Sequence, residues 1–400
     1  MDGKQPRRCR TLRVRLHPTF HQTISLERQL NHQRELYNAA LEERIGAWKW
    51  EHRSVSYFDQ CRTLTGLDEV RPEVLSSGVT LCRGTLKRVD RAYSYFYGRL
   101  RRGEAPGFPR FKSASRFTSL QWEDANGWKV KSQESRLYVF GIGDIKVNLH
   151  RPVVGTPKAI TIKREGNKWW LSVRCVEVPA EPRSAPGREV GIDLGVKNLV
   201  ATSDGELIEG EGFVDRAKYQ LSFAERKLER QQRGSKRRAT QLAHIGQLHR
   251  KIANQRLNTS HQLSRRLVNE YDLIAIENLA IKTMTRAPKA KPDPSRPGEY
   301  LPNGATAKAI LNRSILEAGR GQLASQLLYK AESAGEVVVA IDPRHTSQTC
   351  AQCGHVNAGN RVSQSAFRCR RCGHKDHADL NAARNILRAG RARRASARIG

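Results

Sequence analysis

Two Cys-x2-Cys pairs limit what this chain can fold into more than any other feature. Cys350 and Cys353 are followed, after fifteen intervening residues, by Cys369 and Cys372. At that spacing two knuckles each offer two thiolates to one tetrahedral zinc ion. Gly354 and Gly373, directly after each pair, permit the tight turn of a knuckle. Four sulfurs close the coordination sphere, so the expected Zn2+ is structural, because a catalytic zinc keeps one position open. Cys9, Cys61, Cys82 and Cys175 are scattered, a pattern that suits a reducing compartment rather than a disulfide framework.

Charge identifies the partner class. The 400 residues carry 71 Lys and Arg against 39 Asp and Glu, a formal net charge of +32. So large a charge repels itself in a compact fold, and a polyanion is the natural partner. Arg outnumbers Lys 50 to 21, which favours forked phosphate contacts over point charges. No run of 18 apolar residues exists, so a membrane-spanning helix is excluded. The opening residues Met1 to Arg8 lack an apolar core, and no secretory signal is expected.

The hydrophobic pattern divides the chain. Arg10 to Leu16 alternates basic and apolar residues as a half-buried strand does, and Thr19 with Gln22 forms a capping box for a following helix. Leu26, Leu30, Tyr37, Leu41, Ile45 and Trp48, then Val79, Cys82, Leu86, Val89, Tyr93, Phe96 and Leu100, step at helical spacing, so residues 20–102 read as a helical unit. Residues 105–180 read as strands, with Ala159–Val178 a hairpin; together with Arg10–Leu16 they suggest a small barrel. Pro179, Pro182 and Pro186 mark a linker. Beyond it come strands at Val190–Leu194 and Leu199–Thr202, and helices over 216–270 broken near Gly234. A strand at Asp272–Glu277, a loop with five Pro over 287–304, a helix Ser314–Ala334, a strand Glu336–Ile341 and a last helix from Asp379 complete the pattern. Residues 216–270 hold 14 Lys and Arg against 3 acids, heavy for a merely solvated face.

Three acids stand out within this pattern. In Val190–Gly195, period-two alternation puts Val190, Ile192 and Leu194 on one face and Gly191, Asp193 and Gly195 on the other. Asp193 therefore lies on a face stripped of bulk, where an ion and a phosphate could approach. Glu277 ends a buried-type strand, where an acid is costly unless paired or metal-bound. Asp379 opens a helix whose small Ala residues allow close packing; an Asp there also suits a simple N-cap. Asp342 and Asp376 rival it as third acid, and composition does not choose among them. Three carboxylates suit Mg2+ or Mn2+, and two such ions about 3.5–4 Å apart can clamp both oxygens of a phosphodiester displacement.

GIDLGVKNLVATSDG around Asp193, IAIENL around Glu277, TSQTCAQCG and FRCRRCGHKDHADLNAARNIL at the carboxy-terminal end, and GFPRFKS at Gly107–Ser113 resemble TnpB, the transposon-encoded RNA-guided nuclease, and the compact type V CRISPR effectors related to it. The resemblance spans nearly the whole chain; the helices near the amino terminus match only in layout. It implies an α+β multidomain protein with an RNase H-like (RuvC) nuclease domain, an inserted zinc ribbon, a wedge β-barrel and a helical recognition domain. The implied boundaries are 1–19 and 105–185 for the barrel and 20–104 for the helical domain. The nuclease takes 186–344 and 376–400, and the ribbon 345–375.

The resemblance also selects Asp193, Glu277 and Asp379 as the magnesium-binding catalytic acids, with Cys350, Cys353, Cys369 and Cys372 on zinc. It implies guide RNA and target double-stranded DNA with a displaced single strand as partners, cleavage beside a short flanking motif, and a cytoplasmic, nucleoid-associated location in a prokaryote. Arg110, Lys112, Arg226, Arg230, Arg237, Arg238, Arg250 and Lys251 are the expected nucleic-acid contacts. Two competing readings are an RNase H-fold transposase that works without RNA, and a non-cleaving regulator that binds DNA through a guide or the ribbon. Oligomeric state stays open.

Overall fold

A computed structural model describes residues 8–179, 187–195, 198–209, 213–296 and 298–399, without the side chains of 213–216 and 397–399. The linker prolines Pro182 and Pro186 lie outside the described residues. The chain forms two compact units, residues 1–179 and 180–400.

In the first unit, strand β1 (Arg10–His17) leads into helix α1 (Phe20–Glu51), with Thr19 and Gln22 making the expected reciprocal capping bonds. Short helices α2 (Tyr57–Arg62), α3 (Leu64–Val70) and α4 (Pro72–Leu75) precede α5 (Val79–Arg101). Strands β2 (Ser119–Trp122), β3 (Trp128–Lys131), β4 (Arg136–Val139), β5 (Gly143–Asn148), β6 (Thr156–Glu165) and β7 (Lys168–Val176) follow. With β1 they form one antiparallel seven-stranded sheet, ordered β2-β6-β7-β1-β5-β4-β3. Its end strands β2 and β3 are not hydrogen-bonded to each other among the described residues. Helices and sheet share one core, from Leu26, Leu41 and Leu86 to Trp122, Ile145 and Leu171. Trp48 departs from the expected stripe and is 61% exposed. The buried line on α1 runs instead through Gln33, Arg44 and Ala47, whose polar or small side chains an apolar count misses. Arg44 is held there by Gln60 (2.9 Å) and Asp90 (3.6 Å).

The second unit is built on β8 (Glu189–Asp193), β9 (Asn198–Thr202), β10 (Leu207–Glu209), helices α6 (Phe213–Glu229) and α7 (Lys236–Glu270), and β11 (Leu273–Glu277). Helix α8 (Ile281–Met284) and a minimal hairpin, β12 (Lys291–Pro292) with β13 (Tyr300–Leu301), occupy the proline-rich stretch. Where one helix Ser314–Ala334 is expected, there are two, α9 (Ala305–Glu317) and α10 (Arg320–Ala334). Gly319, at φ +63°, breaks the run in a conformation that suits glycine. Strand β14 (Val337–Ile341), the small hairpin β15 (Ala366–Arg368) with β16 (Lys375–His377), and α11 (Ala378–Ile399) complete the unit.

The main sheet has the order β10-β9-β8-β11-β14. β8, β11 and β14 run parallel, joined by helical crossovers, and β9 and β10 return antiparallel. One face packs Val190, Ile192, Ile274 and Ile276 against Leu263 and Leu267 of α7 and Leu323 and Leu327 of α10. The other face is crossed by α11. The alternation read in β8 is therefore correct, but the bare face has a different cause. A Cβ on Gly191 would collide with the carbonyl of Ala383 and lie 2.5 Å from the amide nitrogen of Leu387. Gly191 is small to admit the α11 backbone, not a phosphate. Gly390 on the helix meets Ala275 in the same way, its added Cβ 2.5 Å from that methyl. Gly191→Ala should cost about 2–3 kcal/mol, because the contact is with main chain that cannot rotate away, and differential scanning calorimetry would show it.

Candidate active site and metal centre

The parallel register sets the acids side by side. Ala275 lies opposite Gly191 and Ile276 opposite Ile192, so Glu277 and Asp193 end adjacent strands on the α11 face. Carboxyl ends of parallel strands are where open α/β sheets bind ligands. Asp379, in the first turn of α11, completes the set: Asp193, Glu277 and Asp379 line one cavity of about 280 Å3. The rivals are elsewhere. Asp342 is 64% exposed and accepts the Arg344 backbone N–H, while Asp376 pairs with Arg384 and His374.

Two of the three acids, Glu277 and Asp379, are oriented by a neighbour. Thr346 donates its hydroxyl to Glu277 Oε1 at 2.6 Å. The Asn198 amide, 5% exposed, donates to Asp379 Oδ2 at 3.0 Å, and Arg361 lies 3.5 Å from Asp379 Oδ1. Arg320 also lines the cavity. None of these four emerges from sequence reasoning as a site residue, although Asn198 lies within GIDLGVKNLVATSDG and Thr346 opens TSQTCAQCG.

Burial dominates the electrostatics. It pushes the Asp193 carboxyl up to about 7, reinforced by the charges of Glu277 and Asp379 and opposed by Arg320 and Arg361. Burial also raises Glu277, against the Thr346 hydrogen bond and Arg320. Clustered, desolvated acids with raised affinity for protons also gain from binding hard cations, so the donor set fits Mg2+ or Mn2+. Among the described residues, only the four cysteines bring all their ligand atoms within 4.8 Å of one another. The carboxylates of Asp193, Glu277 and Asp379 are not all within that distance of one another.

A stability effect follows from Asp193. In the fold its ionised form is disfavoured, so the contribution of Asp193 to stability falls as pH rises from about 4 to about 7. In metal-free protein at pH 8, Asp193→Asn should therefore be the more stable form, by on the order of 2–4 kcal/mol. At pH 5 the difference should shrink, and thermal melts at both values would show it.

The cysteine sulfurs meet the geometry of a zinc ion. Cys350 and Cys372 are 3.7 Å apart and Cys353 and Cys369 3.6 Å, close to the ~3.8 Å edge of a tetrahedron with 2.3 Å Zn–S bonds. Both knuckles close through matching bonds, Gly354 N–H to Cys350 O (2.9 Å) and Gly373 N–H to Cys369 O (3.1 Å). Both glycines have φ near +73°. The backbone N–H groups of Arg371 and Cys372 point at Cys369 Sγ, each at 3.4 Å, and favour its thiolate. The four cysteines thus fit a structural zinc.

Two asparagines one helical turn apart fasten this cluster to α11. Asn381 accepts from Ala351 N–H and donates to Thr349 O, both at 2.8 Å. Asn385 donates to Thr346 O (3.0 Å) and Thr349 O (2.7 Å). Both are buried.

The expected nucleic-acid contacts fare unevenly. Arg110, Arg226, Arg230, Arg237 and Lys251 are exposed, whereas Lys112 and Arg250 are half-buried. Arg238 is engaged within the fold, donating to the carbonyls of Leu228 (2.7 Å) and Gln231 (3.1 Å) at the end of α6. No helix among the described residues is long and apolar enough to cross a membrane.

Comparison with known proteins agrees with this architecture. A family profile described as a probable transposase (OrfB of IS605) matches residues 173–287, and one described as a Cas12f1-like TNB domain matches 321–386. A third, described as a helix-turn-helix domain, matches 9–53, where this chain forms β1 and the single helix α1. "Putative RNA-guided DNA endonuclease InsQ" of Escherichia coli is 33% identical over 77% of this chain and 73% of its own length. A "Putative RNA-guided DNA endonuclease" of Streptomyces pristinaespiralis is 30% identical over 95% and 89%. A solved Cas12f1–sgRNA–target DNA complex shares the fold of 95% of this chain and 99% of its own at a TM-score of 0.56 and 16% identity. With these family profiles and relatives of this length and identity, the chain belongs to the TnpB family.

Proposed function

We propose that this chain is an RNA-guided DNA endonuclease that hydrolyses phosphodiester bonds in a single RuvC-type cavity. The observation that carries the reading is the convergence of Asp193, Glu277 and Asp379 at the carboxyl ends of parallel strands in one partly buried cavity. The net charge of +32 supports a nucleic-acid substrate, and the relatives' names supply the guide.

In this reading Asp193, Glu277 and Asp379 would hold two Mg2+ or Mn2+ ions, which would supply water activation and charge stabilisation for the hydrolysis. Thr346 and Asn198 fix two of the carboxylates before substrate arrives. The seven-stranded sheet serves as the wedge, α1–α5 as the recognition helices and 345–375 as the zinc-bearing insertion. The basic hairpin α6–α7 steers strands toward the cavity, with Arg226, Arg230, Arg237, Arg250 and Lys251 on phosphates and Arg110 and Lys112 beside the guide or its target. Guide–target pairing reads the sequence, and the protein reads the short flanking motif.

The test is reprogramming. RNA that co-purifies with the protein is sequenced, its guide segment is replaced, and cleavage is expected to move to the newly matched DNA, in Mg2+ and not in EDTA. Joining of transposon ends without any RNA would overturn the proposal.

A further inference from the structure

Two guanidinium groups line the acidic cavity, and they differ in their commitments. Arg361 is engaged: it pairs with Asp379 at 3.5 Å and donates to Gln364 O at 3.0 Å. Arg320, the first residue of α10, donates through Nε to the carbonyl of Gly195 at 3.3 Å. Among the described residues it forms no ion pair within 4 Å of Asp193, Glu277 or Asp379, and neither Nη takes a partner. Gly195 lies two residues after Asp193, so this bond ties the guanidinium to the segment that leaves the β8 acid.

The arrangement is unusual for a cation that only balances charge. A half-buried arginine beside three carboxylates gains most by pairing with one of them. Here a backbone carbonyl holds it off, which leaves the carboxylate oxygens open and the Nη fork directed at no acceptor of the protein. Once the acids are occupied by divalent cations, the cavity is no longer negative, and a free arginine there needs an anion.

We infer that Arg320 is a further catalytic residue, its Nη groups hydrogen-bonding the non-bridging oxygens of the scissile phosphate. This rests on the nuclease reading of the cavity. In the hydrolysis a water oxygen attacks phosphorus, the bond to the 3′ oxygen breaks, the water's proton passes to solvent and the departing oxygen is protonated. Charge on the non-bridging oxygens is shared by the donors around them, and a planar fork can reach two at once. Lysine at this position keeps the charge but loses the fork.

The experiment compares wild type, R320A, R320K and D193A as guide-loaded complexes. At saturating Mg2+, single-turnover cleavage by R320A should fall ~100-fold and by R320K ~10-fold, the range for losing one fixed donor to a developing anion. The Mg2+ concentration for half-maximal rate should stay within about twofold of wild type. In Ca2+, the complex's affinity for a short fluorescent single-stranded DNA, read by anisotropy, should fall about tenfold in R320A.

If R320A cuts at the wild-type rate, or recovers that rate when Mg2+ is raised, Arg320 merely balances the acids and the inference is overturned. Unchanged strand affinity in Ca2+ overturns it too. If R320A does not fold, R320K decides: a wild-type rate sinks the idea. D193A is the control for the site itself. If D193A cuts normally, the cavity is not the nuclease and this inference falls with it, whereas an inactive D193A beside a fully active R320A removes Arg320 alone.

Discussion

Asp193→Ala should abolish guide-dependent DNA cleavage while guide RNA binding and the fold stay intact. Asp193 ends the central strand β8, and burial together with the charges of Glu277 and Asp379 raises its carboxyl. It is the natural shared ligand if two cations occupy the cavity. Removing it takes away carboxylate oxygens that would hold the cations, so the loss should exceed that for a peripheral contact: a fall of at least ~1,000-fold in single-turnover rate, to background. The substitution also removes a buried carboxylate that is unfavourable when ionised, so the protein should not be destabilised at neutral pH. The measurement pairs cleavage of matched DNA with a filter-binding assay for the guide. Cutting by the variant at more than about a tenth of the wild-type rate would remove Asp193 from the mechanism.

Cys350→Ser should release zinc and unfold the insertion. Cys350 is buried, and its sulfur closes one edge of the thiolate tetrahedron. A serine hydroxyl stays protonated and is a poor zinc ligand, so three thiolates remain. Around this cluster the apolar support is slight: Phe367 and Ala378 are the buried hydrophobic partners of Cys350 and Cys369. So small a core cannot hold a fold by itself, and zinc binding, on the order of 10–16 kcal/mol in small zinc modules, supplies the difference. Metal analysis should find about one zinc per wild-type chain and none in the variant, with a large loss of soluble yield. A zinc-free wild-type protein that melts normally would contradict this reading.

Much of the architecture is legible in the sequence because it is written in local patterns. The capping box at Thr19, the alternation in β8 and the hairpin at Ala159–Val178 each specify their own element. The two cysteine pairs do the same for the knuckles. What is not legible depends on partners distant in the chain. Gly191 looks like room for a ligand, and its reason is a helix that arrives almost two hundred residues later. Trp48 fits an apolar stripe, but Arg44 lies buried on α1 instead because Gln60 of α2 and Asp90 of α5 are there to hold it. Asp379 cannot be told from Asp342 or Asp376 by composition. The cavity separates them, because only Asp379 faces the ends of β8 and β11. Thr346, Asn198 and Arg320 come from three different elements and share no motif, so only tertiary structure assembles them.

The asparagine pair on α11 carries a consequence for how the second unit would respond to bound metals. Asn385 grips the carbonyl of Thr346, and the hydroxyl of that same threonine orients Glu277. Asn381 grips both sides of Cys350 from the helix whose first turn bears Asp379. The thiolate ion and the carboxylate ions therefore share a scaffold only a few residues deep, and thermodynamic reciprocity makes any coupling run both ways. A chain starved of zinc should therefore also hold divalent cations less well at its three acids, because the hydrogen bonds that anchor the cysteine cluster reach Thr346 and, through it, Glu277.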